Sequence, residues 1–422
     1  MNKTLRGILI AFVLLIVVLG SFSGGFLAGN LWSGFNPQSG HPFFSSPEIS
    51  APTPSTEQLT STPDDLETLF APFWEAWNIV HEDYVDQPVD DTLLMQGAIR
   101  GMMDALGDEH SSYMDPKAFE DANSGLSGEY EGIGAWVDTT ENYLTIISPI
   151  PGSPAEAAGL KSGDKIIAID GEDMTGIDPE LVRQRVLGPA GSTVVLTIAR
   201  EGESDAFDVS IVRDKIVVES ASGEMLENGI GYIQITTFGD NTTRELRAAL
   251  QDVLAQNPKG LIIDLRNNGG GYLVTSVEVA SEFIAEGVIL YEQYGDGRRT
   301  TYEALGNGQA TEIPLVVLVN EGTASASEIV AGAIQDYGRG QLVGMPTYGK
   351  GSVQNWVPLS NNQGAVRVTI AKWLTPKERH IHGDGLTPDV EVEITEEDFE
   401  AERDPQLDKA IEVLLNMLST SE

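Results

Sequence analysis

The apolar positions of this chain change period several times, and each change marks a segment. An unbroken apolar run at 8–19 follows Lys3 and Arg6 and is extended through small residues by Phe22, Phe26, Leu27 and Leu31. That pattern predicts a signal sequence or a single transmembrane anchor, with the rest of the chain outside the cytoplasm. The strict run is shorter than the about 20 residues a span needs. Cleavage after a small residue at 23–28, with secretion, therefore stays open, while apolar residues continuing to Trp32 favour the uncleaved anchor. Residues 33–63 are rich in Pro, Ser, Thr and Gly, have no apolar period, and read as a disordered tether.

From 64 to 106 the period becomes helical, in two segments split at Gln87-Pro88. Phe70, Phe73, Trp74, Trp77 and Val80 form one stripe, and Leu94, Ala98, Ile99, Met102, Met103 and Leu106 another, each expected to pack as a helix face. Between 129 and 213, short alternating runs predict a small β-rich domain, with strands at 133–137, 144–147, 165–169 and 194–200 and a helix at 154–158. Beyond 225, strands at 230–234, 260–264 and 314–320 alternate with helices at 242–256, 274–283 and 325–336, which predicts an α/β layered core. Strands return at 341–343, 352–359 and 365–373, and a helix closes the chain at 404–418. The expectation is an α+β, α/β multidomain chain divided as 1–32, 33–63, 64–128, 129–213 and 214–422.

Composition narrows the function. Asp and Glu number 64 against 25 Lys and Arg, a net charge of −39. A surface of that sign repels polyanions, so no nucleic-acid partner is expected. With 0 cysteines there is no disulfide framework, thiolate nucleophile or zinc–cysteine site. His110 lies in a polar loop, and His380 and His382 alternate along a strand-like segment so that they share a face. No third ligand lies near that pair in sequence, so surface or packing roles are expected and no metal site.

Two stretches carry candidate chemistry. In the first, a buried strand at 314–320 runs through a small-residue turn into the helix at 325–336, which places Ser325 or Ser327 near a helix N-terminus. Free backbone N–H groups and the helix dipole favour negative charge there; the same position suits a plain helix cap. In the second, Lys350 sits between Gly349 and Gly351. Burial lowers a lysine from its usual value of about 10.4 and makes the neutral amine a usable base. Gly344, Gly349 and Lys350 also fit part of a phosphate loop, but Gly351 stands where a Ser or Thr must hold magnesium, and strand follows where a helix is needed. Nucleotide binding is excluded.

The segments Gly-Thr-Ala-Ser-Ala-Ser-Glu-Ile (322–329) and Tyr-Gly-Lys-Gly-Ser-Val-Gln (348–354) together resemble the signature of the C-terminal processing peptidases, also called tail-specific proteases. The resemblance implies a serine endopeptidase with a Ser/Lys dyad, no cofactor, and a peptidase core of the ClpP/crotonase-like type with a C-terminal β segment. It assigns Ser325 as nucleophile, Lys350 as base and Gln354 as the residue that orients the amine. In Asp-Leu-Arg-Asn-Asn-Gly-Gly-Gly (264–271) the family has proline where Gly269 stands, and the resemblance implies an oxyanion hole from Gly271 or Gly270 together with Ala326. Segments 131–135, 152–166 and 169–171 resemble a circularly permuted PDZ domain inserted in the chain. Such a domain implies that Gly132, Ile133, Gly134 and Ala135 offer backbone N–H groups to the free C-terminus of a protein or peptide substrate. Leu187 stands where relatives carry an arginine that couples substrate sensing to the site, which leaves Arg183 or Arg185 as substitutes. Residues 74–116 resemble a helical region that helps relatives dimerise, so a homodimer is carried as an expectation. A PDZ scaffold that binds tails without cutting is the alternative of a different class.

Overall fold

The computed structural model describes residues 64–139, 142–395, 397–398, 401 and 403–420. The expected anchor and tether, 1–32 and 33–63, lie outside the described residues. Among the described residues no helix is long and apolar enough to cross a membrane. Residues 1–89 and 90–422 form separate units. The first is described by helix α1 (Asp64–Asp83). Its rings contact one another, Phe73 with Trp74 at 5.1 Å and Trp77 with His81 at 5.0 Å between centres. Phe70, Phe73 and Trp74 are exposed, against the expectation that they pack inward. An apolar period defines a face and leaves open what covers it.

The second unit starts with α2 (Asp91–Asp104), capped by Asp90, whose carboxylate accepts from the N–H groups of Thr92 and Leu93. Next come β1 (Ser112–Met114) and α3 (Pro116–Ser127). Pro116 opens α3 where no N–H is needed, and left-handed Gly128 closes it at φ 69°. A small β domain follows: β2 (Glu129–Gly132), β3 (Ala135–Asp138), β4 (Leu144–Pro149), α4 (Pro154–Ala157), β5 (Lys165–Ile169), β6 (Glu172–Asp173), α5 (Pro179–Val186), β7 (Thr193–Ala199), β8 (Phe207–Val212) and β9 (Asp214–Val217). Its sheet runs β3-β4-β5-β7-β8 with β6 on β5, and β2 pairs separately with β9. Alternate residues Val194, Leu196 and Ile198 bury one face beside Leu144, Ile146 and Ile166. The continuous strand expected at 133–137 is broken. Gly134 turns at φ 77°, and a Cβ there would lie 2.4 Å from that of Ser153. Helix α5 escaped the sequence reading because only Val182 and Val186 turn inward, one pair rather than a period.

The larger layer contains β10 (Ala221–Met225), β11 (Gly231–Ile235), α6 (Thr242–Leu254), β12 (Leu261–Asp264), α7 (Leu273–Ser281), β13 (Val288–Tyr294), β14 (Arg299–Glu303), β15 (Leu315–Val319), α8 (Ala326–Tyr337), β16 (Gln341–Gly344), β17 (Ser352–Pro358), β18 (Ala365–Leu374), β19 (Val390–Glu391) and α9 (Pro405–Thr420). One sheet has the order β10-β11-β12-β15-β16-β19, parallel except at β10–β11. Strands β12 and β15 are buried at every position, as the near-continuous apolar runs of a parallel sheet covered on both faces require. Ile263, Val317 and Val319 pack with Leu246, Val277 and Ile329 of the helices on one side, while Ile262, Val316 and Leu318 pack with Ala410 and Leu414 of α9 on the other. A second sheet, β1-β18-β13-β14 with β17 on β18, lies beside this layer. The parallel strands β12, β15 and β16 all end at one edge, and the three loops that leave them carry the candidate residues.

Candidate active site

The loop after β12 is fixed from below. Arg266 bridges Asp264 at 2.7 Å and Asp404 at 2.8 Å. Wholly buried Asn268 donates from Nδ2 to the Ile235 carbonyl at 2.7 Å, and its own carbonyl accepts from Ala324 N–H at 3.0 Å and from Ser327 Oγ at 2.8 Å. Ser327 is therefore buried and committed, which separates the two serines that local pattern left open. Gly270 donates its N–H to Asn268 Oδ1 at 2.9 Å. Its α-carbon abuts the serine turn: a Cβ there would lie 2.8 Å from Ala324 O and Ser325 Cβ, at a backbone φ of 101°. Among the described residues no hydrogen bond takes the N–H of Gly271 or of Ala326.

Ser325 occupies the turn from β15 into α8, at φ 57° and ψ −116°, a region that non-glycine residues avoid. Such a backbone persists only where its surroundings over-determine it. The surroundings here centre on Glu328, which is wholly buried. Its Oε2 accepts from the N–H of Ser325 at 2.8 Å and of Lys350 at 2.9 Å; its Oε1 accepts from Thr347 Oγ at 2.6 Å and Gly349 N–H at 2.7 Å. One carboxylate thus ties the serine turn to the lysine loop. Ser325 followed by Glu328 has the spacing of a capping box, the one local signal in the sequence for this residue.

Lys350 follows β16 in a loop whose glycines are required: Gly349 has φ 90°, and a Cβ on Gly351 would lie 2.9 Å from His382. The Lys350 carbonyl accepts from Trp373 Nε1 at 2.9 Å. Burial, reinforced by the positive charge of Arg367 and opposed by Glu328, holds the amine below the ordinary lysine range. Gln354 donates from Nε2 to Ser352 Oγ at 2.9 Å and Thr369 Oγ at 3.1 Å, so its carbonyl oxygen is the acceptor left over. Ser325, Ala326, Lys350, Gln354 and residues 269–271 line one cleft of about 610 Å³. Phe119 and Leu126 of α3, Trp356 and Arg367 complete its wall, with the Phe119 and Trp356 rings edge to face at 6.4 Å. These wall residues carry no local motif, and only tertiary pairing brings them to the cleft. The arrangement presents a hydroxyl, an amine shifted toward its neutral form and two unclaimed N–H donors to a single space.

Sequence profiles match for Peptidase family S41 over residues 229–392, for a PDZ domain over 145–200, and for the activating protease CtpB N-terminal domain over 38–118. The carboxy-terminal processing protease CtpA of Bacillus subtilis is 38% identical over 321 residues, which is 76% of this chain and 68% of that protein. The chain belongs to the carboxy-terminal processing proteases. The corresponding enzyme of Bartonella bacilliformis is 39% identical over 331 residues, with 76% of this chain and 75% of that protein covered. A solved structure from Bacteroides fragilis assigned to the S41 proteases aligns over 81% of this chain and 96% of its own, with a TM-score of 0.55 at 17% identity, a likeness of fold. The chain is accordingly a serine-type peptidase with a PDZ domain and a mixed α/β core.

In this carboxy-terminal processing protease the 132–135 loop is built into the PDZ domain by its carbonyls. Ile133 O accepts from Ala155 N–H at 2.8 Å, and Gly134 O accepts from Ser153 Oγ at 2.7 Å and Ile150 N–H at 3.0 Å. Burial raises the Tyr130 hydroxyl above the ordinary phenol range, partly offset by the Ala135 N–H and Arg183. Behind the loop, Arg213 donates from Nε to Val186 O at 2.7 Å, from Nη2 to Arg185 O at 3.1 Å, and from Nη1 to Ser192 Oγ at 3.0 Å. The segment with Leu187 is therefore clamped by an arginine from the end of β8, one the sequence reading did not weigh. Arg185 instead pairs with Glu172 at 2.8 Å.

Proposed function

We propose that this protease cuts by a Ser/Lys mechanism near substrate C-termini captured by its PDZ domain. The observation that carries the reading is the joining of Ser325, at a strained helix N-terminus, to the Lys350 loop through one buried carboxylate, in a cleft beside unclaimed N–H groups. Neutral Lys350 takes the proton from Ser325 Oγ as that oxygen bonds to the substrate carbonyl carbon. The N–H groups of Gly271 and Ala326 receive the charge that develops on the carbonyl oxygen. Gly270 is the weaker candidate because its N–H already serves Asn268. The peptide C–N bond then breaks, and the leaving amine carries off the proton held by Lys350. Water, deprotonated by Lys350, hydrolyses the acyl ester and restores Ser325. Gln354 accepts from the amine through its remaining oxygen and keeps it aimed.

Gly132, Ile133, Gly134 and Ala135 bind the substrate carboxylate, and the adjoining strand edge pairs with the extended tail. Residues 1–32 anchor the protein with its catalytic part outside the cytoplasm, and two copies join through the exposed ring stripe of α1, whose Trp74 is 57% exposed. The test compares the full chain with Ser325→Ala and Lys350→Ala on an unfolded substrate. Both variants are expected to lose about a thousandfold or more in rate with circular dichroism unchanged. Amidation of the substrate C-terminus is expected to raise KM. Undiminished cleavage by Ser325→Ala at matched folding sinks the assignment.

A further inference from the structure

We propose that Glu109, His110 and His382 form a binding site for a zinc-class divalent cation beside the lysine loop. Each offers one ligand atom, and the three atoms lie within 4.8 Å of one another. His110 retains 12% of its side-chain exposure, and its Nε2 is covered from solvent with no hydrogen-bond partner among the described residues. Glu109 Oε1 stands 3.5 Å from that nitrogen. Two ligands of a tetrahedral zinc at 2.0–2.1 Å lie about 3.3 Å apart, so this pair is already near coordination spacing. The His382 ring meets that of His110 edge to face at 5.8 Å. A covered polar nitrogen without a partner calls for an explanation, and a shared cation supplies one.

Both sides of the site are held in place. Asp108 accepts from His110 N–H at 3.2 Å and from Ser111 Oγ at 2.5 Å, and Ser111 Oγ accepts from the N–H of Thr369 on β18 at 3.0 Å. Beside His382, Gly383 donates its N–H to Gly349 O at 2.9 Å. A bound ion would thus staple residues 108–111 to the segment that buttresses the Lys350 loop. Two imidazoles and one carboxylate suit zinc and its neighbours, whereas calcium and magnesium take oxygen ligands. The fourth position is left to water. In sequence the natural pair is His380 and His382, whose rings lie 6.0 Å apart; the fold adds His110 to His382 from a loop far away in the chain, and it is His110 with Glu109 whose ligand atoms converge there.

Titration calorimetry of the metal-free full chain with zinc chloride tests the site, with excess calcium present to occupy the acidic surface. About one zinc per chain is expected to bind and to raise the thermal unfolding midpoint. Loss of an outer-shell partner alone costs about 10–100-fold in metal affinity, so His110→Ala and His382→Ala should each weaken binding at least about tenfold. His81→Ala should leave it unchanged. Glu109→Gln, at a side chain 72% exposed, should weaken binding while keeping the metal-free midpoint, which separates lost ligation from lost folding. Absence of stoichiometric binding, or binding undiminished in His110→Ala or in His382→Ala, overturns the proposal.

Discussion

The charge on Lys350 is set by burial and by two neighbours of opposite effect. Burial and the Arg367 guanidinium both disfavour the ammonium, while Glu328 favours it, and the net shift is downward. In the proposed mechanism the neutral amine is the working form, so the rate should rise with pH through this lowered value and level off above it. Arg367→Gln removes one lowering influence and should move the rising limb of kcat/KM to higher pH; identical limbs would count against a titrating Lys350. Glu328→Gln tests the tie between the loops. Each carboxylate oxygen accepts two donors, so either orientation of the amide sets its NH₂ against two of them. A cost of about 3 kcal/mol in urea unfolding, with a marked fall in kcat, is expected. At this scale a spacing of 25 singles out Ser325 and Lys350, which line one cleft, whereas Glu328 and Arg367 carry no such signal, because their contacts depend on which loops face them.

At the scale of elements, the glycine loop after β12 and the start of α8 behave as one piece. Gly270→Ala would push a methyl group into the serine turn at a φ that L-residues resist. Loss of activity exceeding loss of stability is expected, read from kcat beside the unfolding midpoint. Gly269 is different: a Cβ there meets nothing within 4 Å, and no positive φ forbids a side chain. Gly269→Pro, which introduces the residue the motif resemblance places there, should stabilise by about 0.5 kcal/mol through the unfolded chain and leave kcat in place. A lower thermal midpoint would refute that. Strands β12 and β15 were readable because burial on both faces makes them apolar at every position but Asp264. Strand β14 was not, since Arg299-Thr300-Thr301-Tyr302-Glu303 keeps alternate residues in solvent and offers few apolar positions.

Across the whole of residues 90–422, α3 connects the cleft to the PDZ domain. Phe119 and Leu126 face the cleft, Leu126 O accepts from Asp240 N–H at 3.0 Å, and Gly128 leads directly into β2 and the 132–135 loop. Replacing Phe119 by alanine removes its edge contact with Trp356. An aromatic pair contributes about 0.5–1.5 kcal/mol, so a two- to tenfold rise in KM for a tailed substrate is expected, with kcat less affected. An unchanged KM would show that this wall does not touch substrate.

Periodicity and spacing already determined the layered core, the small β domain and the serine and lysine stretches, and net charge led to the expectation of no polyanionic partner, because each of these is a local pattern or a sum over the chain. The tertiary structure alone decided that Ser327 is buried while Ser325 lines the cleft, that among the described residues the N–H of Gly270 is taken and that of Gly271 is not, and that Arg213 clamps the Leu187 segment. It alone brought His110 to His382. Each of these outcomes depends on which distant backbone supplies a hydrogen-bond partner, and the identity of a residue does not carry that information until the sheets have paired.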